Sequence, residues 1–214
     1  MIFSKILDYF YPPTCGICGK LNNDYLCKKC EKLLNGHVSE NVLNIDNMNF
    51  QELIYIFKYE GIIRESILKY KFEEKSYLYK TFVNFLLKND KVFENIKNYD
   101  TIIPVPISNK RYKKRGYNQS WLLAMELSKL MNLTLITNCL FKAKDVIEQS
   151  KLTKEQRVEN IKDVYFLTNE SKIENRKILL LDDIYTTGST VNECCRILKK
   201  ANPKKIVVVV LAKK

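Results

Sequence analysis

Residues 178–190 read ILLLDDIYTTGST, and this stretch decides the fold class of the chain. Its first four residues are apolar, as in a strand that is covered on both faces of a parallel sheet. Asp182 and Asp183 follow at the carboxyl end of the run, where open α/β sheets bind their ligands. Carboxylates at that place can accept hydrogen bonds from the vicinal hydroxyls of a ribose. The stretch therefore predicts an α/β fold with a mostly parallel sheet.

A loop of small polar residues comes next and ends where a helix is expected to begin. Apolar residues at positions 191, 194, 195 and 198 have the spacing of an amphipathic helix. The free N–H groups and positive dipole end of such a helix favour a phosphate group. An alternative is a capped helix beside surface carboxylates, because Thr and Ser also cap helices. The predicted phosphate loop consists of Thr186, Thr187, Gly188, Ser189 and Thr190.

Two CxxC pairs lie near the beginning of the sequence. Four thiolates suit one tetrahedral Zn²⁺ and leave no open coordination position, so we predict a structural zinc site. Disulfides are disfavoured because no secretory segment is evident and cytosolic thiols stay reduced. An iron–sulfur cluster is an alternative. The predicted ligands are Cys15, Cys18, Cys27 and Cys30, whereas Cys139, Cys194 and Cys195 lie among apolar residues and are expected in the core.

The 214-residue chain is strongly basic, with 36 Lys and Arg against 24 Asp and Glu and a net charge of +12. This charge favours a polyanionic partner, above all nucleic acid. The alternative is a composition that is rich in Lys throughout and has no particular partner. The densest cluster, KRYKKR at 110–115, also offers an aromatic ring for base stacking. The predicted nucleic-acid contacts are Lys110, Arg111, Lys113 and Lys114.

Secondary structure was assigned from apolar periodicity and from the positions of Gly and Pro. The pattern predicts helices at 62–72, 77–87 and 119–131, and strands at 53–57, 101–105, 133–140, 164–167, 178–181 and 205–211. Residues 35–49 resemble a polar linker. No apolar run is long enough to span a bilayer, so we expect a cytoplasmic protein. Two units are expected, a helix with the cysteine module at 1–35 and the main domain at 36–214.

Together these segments resemble the ComF family, in which a four-cysteine module precedes a domain of the type I phosphoribosyltransferase fold. Residues 178–190 are similar to the phosphoribosyl pyrophosphate loop of that fold. The RGxNQ motif of the family is matched by Arg115, Gly116, Asn118 and Gln119, after the proline-containing IIPVP at 102–106. A second family pattern is matched by Gln149, Leu152, Arg157 and Asn160. Where the family commonly has an Arg before this pattern, the chain has Lys142 and Lys144, which lack the bidentate fork of Arg.

The resemblance implies that the domain binds phosphoribosyl pyrophosphate with Mg²⁺. The domain would include a hood region at about 50–95. The loop at 144–160 either closes over this ligand or forms a solvated helix. Arg115, Lys144 and Arg157 are candidates for stabilising a departing pyrophosphate, and whether the chain catalyses transfer is left open. The implied ligand-binding residues are Val105, Pro106, Arg115, Asp182, Asp183, Thr186, Thr187, Gly188, Ser189 and Thr190.

The resemblance also implies a role in natural transformation. In that role the protein would handle incoming single-stranded DNA together with a competence helicase or translocase. Two alternatives belong to other classes of function. One is a phosphoribosyltransferase of nucleotide metabolism, and the other is a non-catalytic sensor of phosphoribosyl pyrophosphate.

Overall fold

The computed structural model describes residues 14–23, 25–39, 42–73, 75–143 and 164–214. In these ranges it has eight strands: β1 (Val42–Asn44), β2 (Glu52–Lys58), β3 (Thr101–Pro104), β4 (Thr134–Leu135), β5 (Leu140–Lys142), β6 (Tyr165–Leu167), β7 (Lys177–Tyr185) and β8 (Lys205–Lys213). Six of them form one sheet in the order β1-β2-β8-β7-β3-β4, and β5 pairs with β6 in a separate hairpin.

The main sheet is parallel except at one edge. Neighbouring strands from β2 through β4 are parallel, and only β1 pairs antiparallel with its neighbour. Its two central strands, β7 and β8, carry the apolar runs ILLL and IVVVVL, as expected for strands covered on both faces. The structure therefore confirms the α/β class with a mostly parallel sheet.

Helices cover both faces of this sheet. The described helices are α1 (Lys28–Asn35), α2 (Gly61–Phe72), α3 (Leu78–Leu87), α4 (Asp90–Ile96), α5 (Asn109–Arg115), α6 (Gln119–Met131) and α7 (Ser189–Leu198). Residues of α2, α3, α4 and α6 share a core with Leu179 and Leu181 of β7. The opposite face, with Ile178 and Leu180, packs against α7 and the β5–β6 hairpin. Side chains alternate between faces along a strand, so β7 contributes to both cores. No described helix is both long and apolar enough to cross a membrane.

The cysteine module packs against α3. Cys15, Cys30 and Leu34 belong to the same core cluster as that helix. Thr81 Oγ1 of α3 donates a hydrogen bond to the carbonyl oxygen of Tyr25, 2.8 Å away. Gly16 lies so close that an added Cβ would come within 2.1 Å of Thr81 Oγ1. The main domain therefore supplies one wall of the module, and the division of the chain at residue 35 stays a prediction.

Most predicted elements are confirmed, but the strand at 133–140 is wrong. In its place β4 pairs with β3 for two residues, and β5 then pairs with β6 outside the main sheet. The bend between β4 and β5 is held at Asn138, whose carbonyl accepts hydrogen bonds from Thr168 Oγ1 and Asn169 Nδ2 at 3.2 and 2.7 Å. The linker at 35–49 contains β1, and the sequence did not predict α1, α4 and α5. The three other cysteines, Cys139, Cys194 and Cys195, are buried as expected.

Candidate functional site

A cleft opens where β3 separates from β7. The last residue pair between these strands is Pro104 with Leu181, after which the N–H of Val105 donates to the carbonyl of Leu181 at 2.9 Å. Strand β7 continues alongside β8 as far as Tyr185. Residues 182–185 therefore have a strand on one side only, and a cleft of about 290 Å³ lies on the other. This is the place at which open α/β sheets bind ligands.

The two acids of β7 line this cleft and have different partners. Asp182 Oδ1 accepts hydrogen bonds from Ser120 Oγ and from the N–H of Asp183, both at 2.9 Å. Asp183 is 7% exposed, and its Oδ2 forms an ion pair at 2.8 Å with Lys71 Nζ from α2. Burial, followed by the neighbouring charge of Asp183, raises the pKa of Asp182 above its usual range, while Lys71 opposes the rise.

The loop after the acids brings a helix N-terminus to the same cleft. Gly188 has φ +77°, and an added Cβ would come within 2.4 Å of Tyr185 Oη, so no other residue fits there without rearrangement. The side chains of Thr187 and Ser189 share a hydrogen bond of 2.8 Å. Helix α7 begins at Ser189, and its first N–H groups have no partner within the helix. All five predicted loop residues line the cleft, where they can surround a phosphate group.

The RGxNQ motif holds the guanidinium group of Arg115 and joins the turn after β3 to the start of α6. Arg115 Nη1 donates to Gln119 Oε1 at 2.9 Å. Gly116, with φ +77°, ends α5 in the left-handed conformation. Asn118 caps α6 by accepting from the N–H of Ser120, and its Nδ2 donates to the carbonyl of Val105 at 3.1 Å. The motif therefore connects the turn after β3 to the helix that holds Ser120.

The basic cluster divides between the cleft and the surface. It forms α5, and Arg111 and Arg115, four residues apart on this helix, both line the cleft. The structure places Arg111, which the sequence predicted as a nucleic-acid contact, in the lining of the cleft, and its role stays a prediction. The remaining predicted nucleic-acid contacts, Lys110, Lys113 and Lys114, are exposed and lie outside the cleft lining.

The cleft contains further residues that the sequence did not single out as site residues. Lys71 of α2, Ser120 of α6 and Tyr165 of β6 all line it. Their separation in sequence from the acid pair gave no local signal. The four-residue spacing of Arg111 and Arg115 places them on one face only because residues 109–115 form α5, a helix that the sequence did not predict. Among the predicted residues, Val105, Pro106 and Arg115 line the cleft, together with the anticipated Lys142. Lys144, Arg157 and the loop at 144–160 lie outside the described residues.

The four predicted cysteine ligands converge. Their Sγ atoms all lie within 4.8 Å of one another, and those of Cys18 and Cys27 are 3.8 Å apart. A tetrahedral zinc with Zn–S bonds of about 2.3 Å separates its sulfur ligands by about 3.8 Å. Cys27 also caps α1 by accepting from the N–H of Cys30 at 3.5 Å. The cluster can hold one metal ion, and its four thiolates fit the closed site that we predict for zinc.

We expect elemental analysis of the reduced protein to find one zinc ion per chain, because four thiolates are placed for closed tetrahedral coordination. Cys18→Ser should release the ion because it removes one of the four thiolate ligands. Since Cys18 is exposed, its replacement leaves no cavity in the core. Cys139→Ala, a buried cysteine outside the cluster, should retain the zinc. Iron with visible absorbance, or no metal in a freshly purified sample, would contradict the assignment.

Comparison with known proteins relates both parts of the chain to one group. A family model described as "Phosphoribosyl transferase domain" matches residues 118–214. Competence protein F of Haemophilus influenzae is 28% identical over 205 residues, which are 94% of this chain and 85% of the relative. Competence protein ComFC of Bacillus subtilis is 25% identical over 86% of this chain and 70% of its own length.

A third relative carries a different name. DNA utilization protein YhgH of Escherichia coli K12 is 27% identical over 70% of this chain and 66% of its own length. The domain model covers the acid pair, the phosphate loop and the Asn and Gln of the RGxNQ motif. The competence relatives match beyond that model, toward the N-terminal part of the chain. The chain is therefore similar to the competence proteins F and ComFC, and it combines a type I phosphoribosyltransferase fold with an N-terminal four-cysteine cluster.

Proposed function

We propose that the protein binds phosphoribosyl pyrophosphate with Mg²⁺ in this cleft and acts in the cytoplasm during natural transformation. There it handles incoming single-stranded DNA with a helicase or translocase. One observation carries the proposal: an acid pair, the N-terminus of α7 and two arginines of α5 converge on one cleft. The names of the competence relatives and of the DNA utilization protein support the cellular role.

Each part of the ligand has a complementary part of the cleft. The N-terminus of α7 takes the 5-phosphate through free N–H groups and the hydroxyls of the loop. Asp182 and Asp183 accept hydrogen bonds from the ribose hydroxyls. The turn at Val105, with Arg111 and Arg115, takes the pyrophosphate. Mg²⁺ bound to the pyrophosphate neutralises part of its charge.

Helix α5 connects this ligand with the proposed DNA contact. Arg111 and Arg115 lie in the cleft, whereas Lys110, Lys113 and Lys114 are exposed on the same helix. A DNA strand that contacts these lysines releases counterions from its phosphates, which supplies affinity without sequence preference. Because one short helix contributes to both sites, binding of the ligand to the arginines should affect binding of DNA to the lysines.

The second candidate function, a phosphoribosyltransferase of nucleotide metabolism, is favoured by the match to the phosphoribosyl transferase domain model. In that reaction the bond between the anomeric carbon and the pyrophosphate oxygen breaks as an acceptor approaches from the other face. Arg115 would stabilise the departing charge, together with Lys144 and Arg157. Release of pyrophosphate that depends on an added nucleobase would support this function. A sensor would bind the ligand without any turnover.

We expect phosphoribosyl pyrophosphate with Mg²⁺ to raise the melting temperature, because a ligand that binds only the native state stabilises it by mass action. Asp182→Asn combined with Asp183→Asn should abolish this shift while preserving the shape of the side chains. Differential scanning fluorimetry measures both effects. Asp90→Asn, at a carboxylate outside the cleft lining, is the matched control and should keep the full shift. An equal shift in the double variant would show that the acid pair does not bind the ribose.

The affinity should depend on pH through Asp182. Its pKa in the folded protein is raised by burial and by Asp183, so it takes up a proton at a higher pH than an ordinary carboxyl group. We therefore expect affinity to be full where Asp182 is ionised and to weaken as the pH falls below this raised pKa. Ser120→Ala removes a hydrogen bond that favours the ionised form, so the decline should begin at a higher pH. Calorimetric titration across pH measures this, and superimposable profiles would contradict it.

The lysines of α5 should affect binding of single-stranded DNA, and its arginines should affect binding of phosphoribosyl pyrophosphate. Changing Lys110, Lys113 and Lys114 to Ala should weaken single-stranded DNA binding and reduce its log-affinity against log-salt slope by roughly 0.7 per lost contact. These changes should leave the melting shift caused by phosphoribosyl pyrophosphate intact. Arg111→Ala should instead reduce that shift, since Arg111 lines the cleft.

Fluorescence anisotropy with and without phosphoribosyl pyrophosphate and Mg²⁺ tests the function itself. Under the proposal the ligand changes the DNA affinity of the wild type. Unchanged DNA affinity and salt slope in the triple-lysine variant would remove the DNA-binding role from α5.

A further inference from the structure

The last turn of α2 contacts both the RGxNQ motif and the acid pair. Tyr70 Oη donates to the carbonyl of Gln119 at 2.8 Å. Lys71 Nζ forms an ion pair with Asp183. The guanidinium carbon of Arg115 stacks over the Phe72 ring, 4.9 Å from the ring centroid. Three consecutive residues thus reach the RGxNQ motif and the acid pair. This turn lies outside residues 118–214, so the domain match assigns it nothing.

The ion pair between Lys71 and Asp183 is the one contact among these that joins two opposite charges, and both side chains are largely buried. The side chains are 16% and 11% exposed, and Nζ and Oδ2 are 2.8 Å apart. Removing one partner of such a pair leaves an uncompensated charge in a poorly solvated place. By contrast, the hydrogen bonds that Asp182 accepts come from uncharged donors, Ser120 Oγ and the N–H of Asp183. Lys71 therefore forms an ion pair with Asp183, and its charge also acts on the adjacent Asp182.

Adjacent carboxylates at the mouth of a polar cleft would ordinarily attract a hard divalent cation, which prefers carboxylate oxygens as ligands. Lys71 occupies Asp183 Oδ2 with a positive charge. The charge of Asp183 also interacts electrostatically with Tyr59, Tyr70 and Arg115, so a second cation acts on this carboxylate. A hydrated metal ion would have to displace Lys71 and approach Arg115. A neutral hydroxyl can instead use the remaining lone pairs of both acids without moving either cation.

We propose that Lys71 is the built-in counter-cation of the acid pair. It excludes free divalent ions from Asp182 and Asp183 and so reserves these carboxylates for the hydroxyls of a sugar. Metal then enters the cleft only as the counter-ion of a phosphorylated ligand. Lys71 is thus a specificity-determining residue. The entry of metal as the counter-ion of a phosphorylated ligand rests on the function proposed above, but the exclusion of free ions does not.

The test is a Mn²⁺ titration of the full, zinc-loaded chain without any phosphorylated ligand, followed by electron paramagnetic resonance of the free ion. The wild type should show no site that depends on the acid pair. Lys71→Met should gain such a site, with affinity at least about tenfold above the wild type, because a nearby unit charge opposing the ion is gone. The gain should disappear in Lys71→Met combined with Asp183→Asn.

Two controls separate charge from a general effect on the helix. Lys71→Arg keeps the positive charge and should still exclude Mn²⁺. Lys69→Met changes the same charge on the same helix outside the cleft lining, and it should behave as the wild type.

The proposal would be overturned if the wild type bound Mn²⁺ through the acid pair as tightly as Lys71→Met does. It would also be overturned if Lys71→Met folded but gained no Mn²⁺ site. If Lys71→Met does not fold, Lys71→Gln takes its place under the same criteria. The titration of the wild type needs no Lys71 variant, since tight Mn²⁺ binding that Asp183→Asn removes would contradict exclusion. Because no step uses phosphoribosyl pyrophosphate, failure of the ligand proposal and failure of ion exclusion give different results.

Discussion

The separation of β3 from β7 after Leu181 is the constraint on which the site depends. Strand β7 continues for four residues with β8 as its neighbour, and the side left by β3 becomes the cleft. Asp182 and Asp183 can face a ligand only because this edge is open. The departing chain is fixed by the hydrogen bond from Asn118 to the carbonyl of Val105, while Ser108 caps the start of α5 and Gly116 ends it. A shift in this crossing point would move the acids and the arginines together.

Packing on the other side of the cleft holds α2 in place. Tyr70 contacts Phe82 of α3 with ring centroids 5.7 Å apart, and Tyr117 Oη donates to the carbonyl of Tyr70. Helix α3 in turn packs against the cysteine module through Thr81 and Gly16. The module, α3 and α2 thus form one continuous layer that ends at Lys71. A metal ion held by the cysteines would stabilise the outer end of this layer, and the ion pair between Lys71 and Asp183 lies at its inner end.

Sequence reasoning succeeded where the signal was local. The apolar run, the acid pair and the glycine loop at 178–190 are consecutive, so their place at the end of a central strand followed from strand and helix rules. The CxxC pairs were equally local. Lys71 and Ser120 were missed because folding alone brings them to the acids. Arg111 was predicted as a nucleic-acid contact from charge density, and its place in the cleft lining beside Arg115 follows only from the formation of α5. The strand at 133–140 failed because polar contacts at Asn138, invisible to apolar periodicity, bend the chain out of the sheet.

The decisive experiment is a crystal structure with phosphoribosyl pyrophosphate and Mg²⁺. The 5-phosphate should lie at the N-terminus of α7, and the ribose hydroxyls should contact Asp182 and Asp183. The pyrophosphate should lie beside Arg111 and Arg115, with Lys71 still paired to Asp183. A ligand bound elsewhere, or bound here with a metal ion in place of Lys71 on Asp183, would contradict the proposed binding mode.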